Sequence, residues 1–142
     1  MRYLVGFIVV LVLGVVGCGE SQCAAACAYY GDEEGHIFVQ MVPSVTSTYD
    51  VDFDLDGAAG AFTCERVEGG WAATSQTGSG KALDDCAGHT FTIFATPDTL
   101  EISVNAQDGS WTGSLQTSPV YERPNVCGTA CAPVATVTIA KQ

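Results

Sequence analysis

Apolar and polar residues alternate one for one over most of this chain. Alternation of period two sends successive side chains to opposite faces of a β-strand, and no helical stripe longer than two turns competes with it. The segments that alternate are His36–Val42, Ser47–Leu55, Ala61–Val67, Trp71–Gln76, His89–Thr96, Thr99–Ala106, Ser110–Thr117 and Val134–Ala140. In "TFTIFA" Phe91, Ile93 and Ala95 share one face, with Thr92 and Phe94 on the other. In "LEISV" Leu100, Ile102 and Val104 point inward while Glu101 and Ser103 face water. Asp56-Gly57, Glu68-Gly69-Gly70, Pro97-Asp98, Asp108-Gly109 and Arg123-Pro124-Asn125 supply the turns. Asp108-Gly109 is the strongest hairpin signal, and Thr77–Asp85 reads as a flexible loop. Short strands broken by frequent turns predict an all-β chain folded as an antiparallel β-sandwich of about seven to eight strands.

Of seven cysteines, six remain once Cys18, at the end of the leader read below, is set aside, and they constrain that sandwich further: Cys23, Cys27, Cys64, Cys86, Cys127 and Cys131. An even number in an exported chain predicts three disulfides. Cys64 pairs with Cys86 in this reading, because the other four form two Cys-x3-Cys pairs near the ends of the domain. Cys23 and Cys27 would then staple to Cys127 and Cys131. Zinc is the competing use of two cysteine pairs, but the spacing is not Cys-x2-Cys and the compartment is oxidising.

Export is read from the start of the chain. Arg2 precedes an apolar run from Leu4 to Val16. Thirteen helical residues span about 20 Å, short of a hydrocarbon core of about 30 Å. The run therefore fits a signal peptide over residues 1–17. "VVGC", Val15 to Cys18, resembles the lipobox of bacterial lipoproteins. That resemblance implies a diacylglycerol thioether on Cys18, a third acyl chain on its amine, and stable membrane anchorage. Gly19 and Glu20 follow the cysteine instead of an aspartate, which favours the outer membrane. Residues 18–35 are then the lipidated cysteine with a short tether, and 36–142 the folded domain. A second resemblance spans most of the mature chain. "YDVDFDLDG…FTC", a central cysteine and "SPVYERPNVCGTACAPVATVTI" are similar to small bacterial lipoproteins with a disulfide-stapled, immunoglobulin-like sandwich. It implies a fold and no activity.

From Cys18 onward, four basic against sixteen acidic residues give a formal charge of −12. Phosphate binding needs Lys and Arg, so nucleic acid is excluded as a partner. A cation or a cationic partner suits the balance, and so does simple solubility.

The acidic residues are most ordered in "YDVDFDLDG", where Asp50, Asp52, Asp54 and Asp56 alternate with apolar residues. Asp52 to Gly57 matches the first half of an EF-hand loop, but position twelve is Thr63 instead of the bidentate Glu. A non-helical calcium site would use Asp52, Asp54 and Asp56, with Glu65 arriving from the next strand. The plainer reading is the wet face of a hairpin. Carboxylates two residues apart on a strand repel in water by only about 0.6 kcal/mol.

Other chemistry is sparse. "GSGK" at Gly78–Lys81 lacks the first glycine and the Ser or Thr of a phosphate loop. His36 and His89 stand at strand starts, and no Gly-x-Ser-x-Gly elbow exists. Trp71, Trp111, Tyr29, Tyr30 and Tyr121 offer either core packing or a ligand platform. No catalytic residue is assigned. The expected function is a non-enzymatic envelope module held at a membrane by its lipid. Its rivals are a calcium-dependent binding module and a small hydrolase.

Overall fold

The computed structural model describes residues 35–78, 81–82, 86–126 and 129–142. Among them the chain is all-β, built from β1 (His36–Val42), β2 (Tyr49–Leu55), β3 (Ala58–Val67), β4 (Gly70–Gly78), β5 (Lys81–Ala82), β6 (Thr90–Phe94), β7 (Leu100–Ala106), β8 (Thr112–Thr117), β9 (Asn125–Val126), β10 (Thr129–Ala130) and β11 (Val134–Ala140). All eight segments that alternate in the sequence form strands. Two main sheets result, in the orders β11-β1-β6-β5 and β4-β3-β2-β7-β8, with β9 and β10 as a separate small pair.

Turn chemistry fixes the five-stranded sheet. Asp56 and Gly57 both have positive φ, 54° and 87°, and Leu55 pairs directly with Ala58. Two left-handed residues in a two-residue connection make a type I′ turn, whose twist matches that of the flanking strands. Asp108-Gly109 sits in a longer connection, with Asn105 paired to Thr112. The Thr77–Asp85 stretch departs from the loop expected there. β4 continues to Gly78, and Lys81–Ala82 pairs with Phe94 and Ile93 of β6. The pairings are antiparallel except β1 with β11, which is parallel from His36↔Val134 to Val42↔Ala140. That pair joins the first strand to the last, a relationship a local pattern does not carry.

The two sheets face each other across one core. Val51, Phe53, Phe62, Ile102 and Val104 meet Ile37, Val39, Phe91, Ile93 and Val137 there. Phe62 and Phe91 cross the gap edge to face, with ring centroids 5.2 Å apart. Thr92 takes the outer face as expected, yet it is buried opposite Phe38. The Cys64–Cys86 disulfide ties β3 of one sheet to the segment entering β6 of the other, and both cysteines are buried. This is the pairing expected from the spacing. Cys131 is disulfide-bonded as well. Cys18, Cys23, Cys27 and Cys127, with the signal peptide, lipobox and tether, lie outside the described residues.

Candidate functional site

The outer face of the five-stranded sheet is the site the sequence points to, and strand register assembles it. Asp50, Asp52 and Asp54 stand opposite Asn105, Ser103 and Glu101 of β7. On the other side they meet Thr63, Ala61 and Ala59 of β3. β8 adds Thr112, Ser114 and Gln116 opposite Asn105, Ser103 and Glu101. The apolar alternates Val51, Phe53 and Leu55 are buried beneath. The ladder is therefore the polar face of a half-buried sheet, as the plainer reading holds. An open groove of about 490 Å³ runs over it, lined by Asp52, Asp54, Glu101, Ser103, Ser114 and Gln116 among others.

Hydrogen bonds distinguish the four aspartates. Asp50 accepts from Thr63 Oγ1 at 2.7 Å and from Gln107 Nε2 at 3.2 Å. Asp54 accepts from the Gly57 N–H at 2.6 Å, closing the turn below it. Asp56 leaves the face entirely. It accepts from the Thr99 N–H at 2.7 Å, the Thr99 hydroxyl at 3.1 Å and the Asp98 N–H at 3.1 Å. The Thr99 N–H, with the Asp98 and Thr99 donors beside it, holds the Asp56 carboxyl below the usual carboxylate range against the opposing effect of desolvation.

The structure does not bring the calcium candidates together. Asp52, Asp54 and Asp56 do not converge, and among the described residues no group of three or more His, Cys, Asp or Glu side chains is placed to hold a metal ion. The left-handed turn at Asp56 and its bonds to Thr99 carry that carboxylate away. Glu65 does not arrive either. Asp52 pairs with Ala61, so the antiparallel register places Glu65 four residues further along β3, roughly 13 Å away.

The remaining candidates are occupied by structure. His36 is buried, edge-on to Phe38 and stacked on Phe94 at 5.6 Å. His89 is exposed at the other end of β1, with its carbonyl accepting the Met41 N–H. Five strand residues, roughly 17 Å, separate the two levels, so the histidines do not form one site. Trp111 is buried with its indole N–H on the Pro43 carbonyl, 2.8 Å away. Trp71 packs on Tyr49 beneath the Arg66 guanidinium, which lies 5.3 Å from its ring. The Tyr121 hydroxyl donates to the Pro97 carbonyl at 2.9 Å. These rings serve packing and do not build a ligand platform. Tyr29 and Tyr30 lie outside the described residues.

Sequence reasoning missed Glu101 as a neighbour of the ladder. Its place opposite Asp54 depends on the β2–β7 register, and only the alternation of "LEISV" hinted that it faces water. Comparison of the chain with protein-family models, with curated proteins and with solved structures finds no match.

Proposed function

We propose that this chain is a lipid-anchored, non-enzymatic envelope module that presents the outer face of its five-stranded sheet to a cationic partner. Anchorage rests on the basic start, the apolar run and the lipobox ending at Cys18. The binding face rests on one observation: Asp54 stands directly opposite Glu101, and no Lys or Arg stands among the neighbours paired to the ladder. Like charges directly opposite on adjacent strands are unfavourable by a few tenths of a kcal/mol to about 1 kcal/mol. A sheet selected for stability alone would place a Lys or Arg beside them. A cationic partner supplies the missing charge, and a face of this kind speeds its approach at low ionic strength.

Two arms test the reading. Cys18→Ser should leave an unprocessed or soluble protein, and full membrane partition of that variant in mature form would refute the lipid anchor. Neutralising the face with Asp52→Asn, Asp54→Asn and Glu101→Gln should weaken capture of a polycation, and unchanged capture would refute the binding face.

A further inference from the structure

The face ends at β8, an edge strand whose outward backbone groups follow from the bonding pattern. In antiparallel sheets, alternate residue pairs exchange backbone hydrogen bonds. The Gln107 N–H donates to the Thr48 carbonyl and the Asp56 N–H to the Thr99 carbonyl, so β7 uses Glu101, Ser103 and Asn105 toward β2. The Ala106 N–H donates to the Trp111 carbonyl, so Gly113, Leu115 and Thr117 of β8 bond to β7. The N–H and C=O groups of Thr112, Ser114 and Gln116 therefore point away from the sheet. Among the described residues Gln142 covers the start of this edge: its N–H donates to the Thr112 carbonyl at 2.8 Å and its side-chain amide to Ser114 Oγ at 3.1 Å, while the outward backbone groups of Ser114 and Gln116 lie beyond that first bond.

Proteins guard such edges with charge, proline or bulges. β4 carries a register shift opposite Phe62 and a positive φ at Ser75. β11 is bridged at its start by Glu122. β5 is two residues long. β8 has none of these devices, and its sequence, TGSLQT, contains no charge and no proline.

We infer that the partner is an extended peptide with Lys or Arg at alternate positions, which adds as a sixth strand on Ser114 and Gln116 of β8. This rests on the reading of the carboxylate face as the binding surface and names the partner that face takes. An added strand lies about 4.8 Å from β8, so its outward side chains stand beside Ser114 and Gln116. A Lys or Arg stem reaches over them to Glu101, two strands away, where the Gln116 amide already donates at 2.6 Å; the aspartates of β2 act on it through their field. Main-chain bonds fix the register, and charge selects the sequence.

The test uses the full chain in lipid nanodiscs and a short alternating Lys-Thr peptide. Two further versions carry backbone N-methyl groups on alternate residues, one in each phase. Only one phase of a bound strand faces β8, so one methylated peptide should lose at least about tenfold in affinity while the other binds like the parent. The parent should also slow hydrogen exchange at the Ser114 and Gln116 amides. Gln116→Pro, which removes an outward N–H and no backbone sheet bond, should weaken the parent peptide similarly, whereas Gln116→Ala, which removes only the side-chain amide on Glu101, should not. If both methylated peptides bind like the parent and those amides stay unprotected, strand addition is overturned while the charged face stands. If the parent does not bind at all, both are overturned.

Discussion

Asp56 and Thr99 stand 43 residues apart, and the Asp56 carboxylate accepts both the N–H and the hydroxyl of Thr99. The Asp56 N–H donates in turn to the Thr99 carbonyl at 3.2 Å. This clip ties the β2–β3 turn to the loop entering β7. It also removes one carboxylate from the ladder, so the acidic face is Asp50, Asp52, Asp54 and Glu101.

The clip should be sensitive to acid. The folded pKa of Asp56 lies below the ordinary 3.8. Its contribution to stability is therefore complete above that value and lost as pH falls through the depressed one. Asp56→Asn should lower the midpoint of thermal unfolding by a few degrees near neutral pH, with the difference from the parent shrinking below pH ~4. Asn tolerates the left-handed backbone, so Asp56→Val should lower the midpoint further.

Cys64 and Cys86 stand 22 positions apart and link the two sheets. Replacing both by Ala should cost about 3 kcal/mol in the chain-entropy account, read as a lower urea midpoint. Because both sulfurs are buried, mild reductant should act on this bond only under partly denaturing conditions.

Tyr121 should titrate late. Burial pushes its phenol up to about 12, helped by the negative charges of Asp56 and Asp98. Ultraviolet titration should show an ionisation near that value that Tyr121→Phe removes. A raised pKa means the folded state holds the proton more tightly, so stability should fall as pH rises from 10 through 12.

Calcium should leave the domain unchanged. Melts in excess calcium and in excess EDTA should agree to within about 1 °C, whereas a filled site would move the midpoint by several degrees. A large rise with calcium would contradict the separation of Asp56 from Asp52 and Asp54.

Much of the sandwich is legible in the sequence because burial on one face writes itself into each strand. "YDVDFDL" and "LEISV" alternate cleanly, and their Asp and Glu residues face water as read. The Cys64–Cys86 bridge was also readable, since those two cysteines stand apart from the Cys-x3-Cys pairs. Register is harder, because it depends on partners far along the chain. The opposition of Asp54 and Glu101, the clip from Asp56 to Thr99 and the parallel β1–β11 pair are all of that kind. β5 was hidden by composition: Gly and Ser around Lys81 read as a loop, while pairing with β6 decides otherwise.

The central claim is that a carboxylate face on an anchored domain holds a cationic partner. The most direct measurement is the affinity of the full chain in nanodiscs for octalysine, at low and high salt. It is repeated with Asp52→Asn, Asp54→Asn and Glu101→Gln combined. The account predicts binding that salt weakens and that the triple variant loses by at least about tenfold. Equal affinity of the parent and the triple variant at low salt would contradict it.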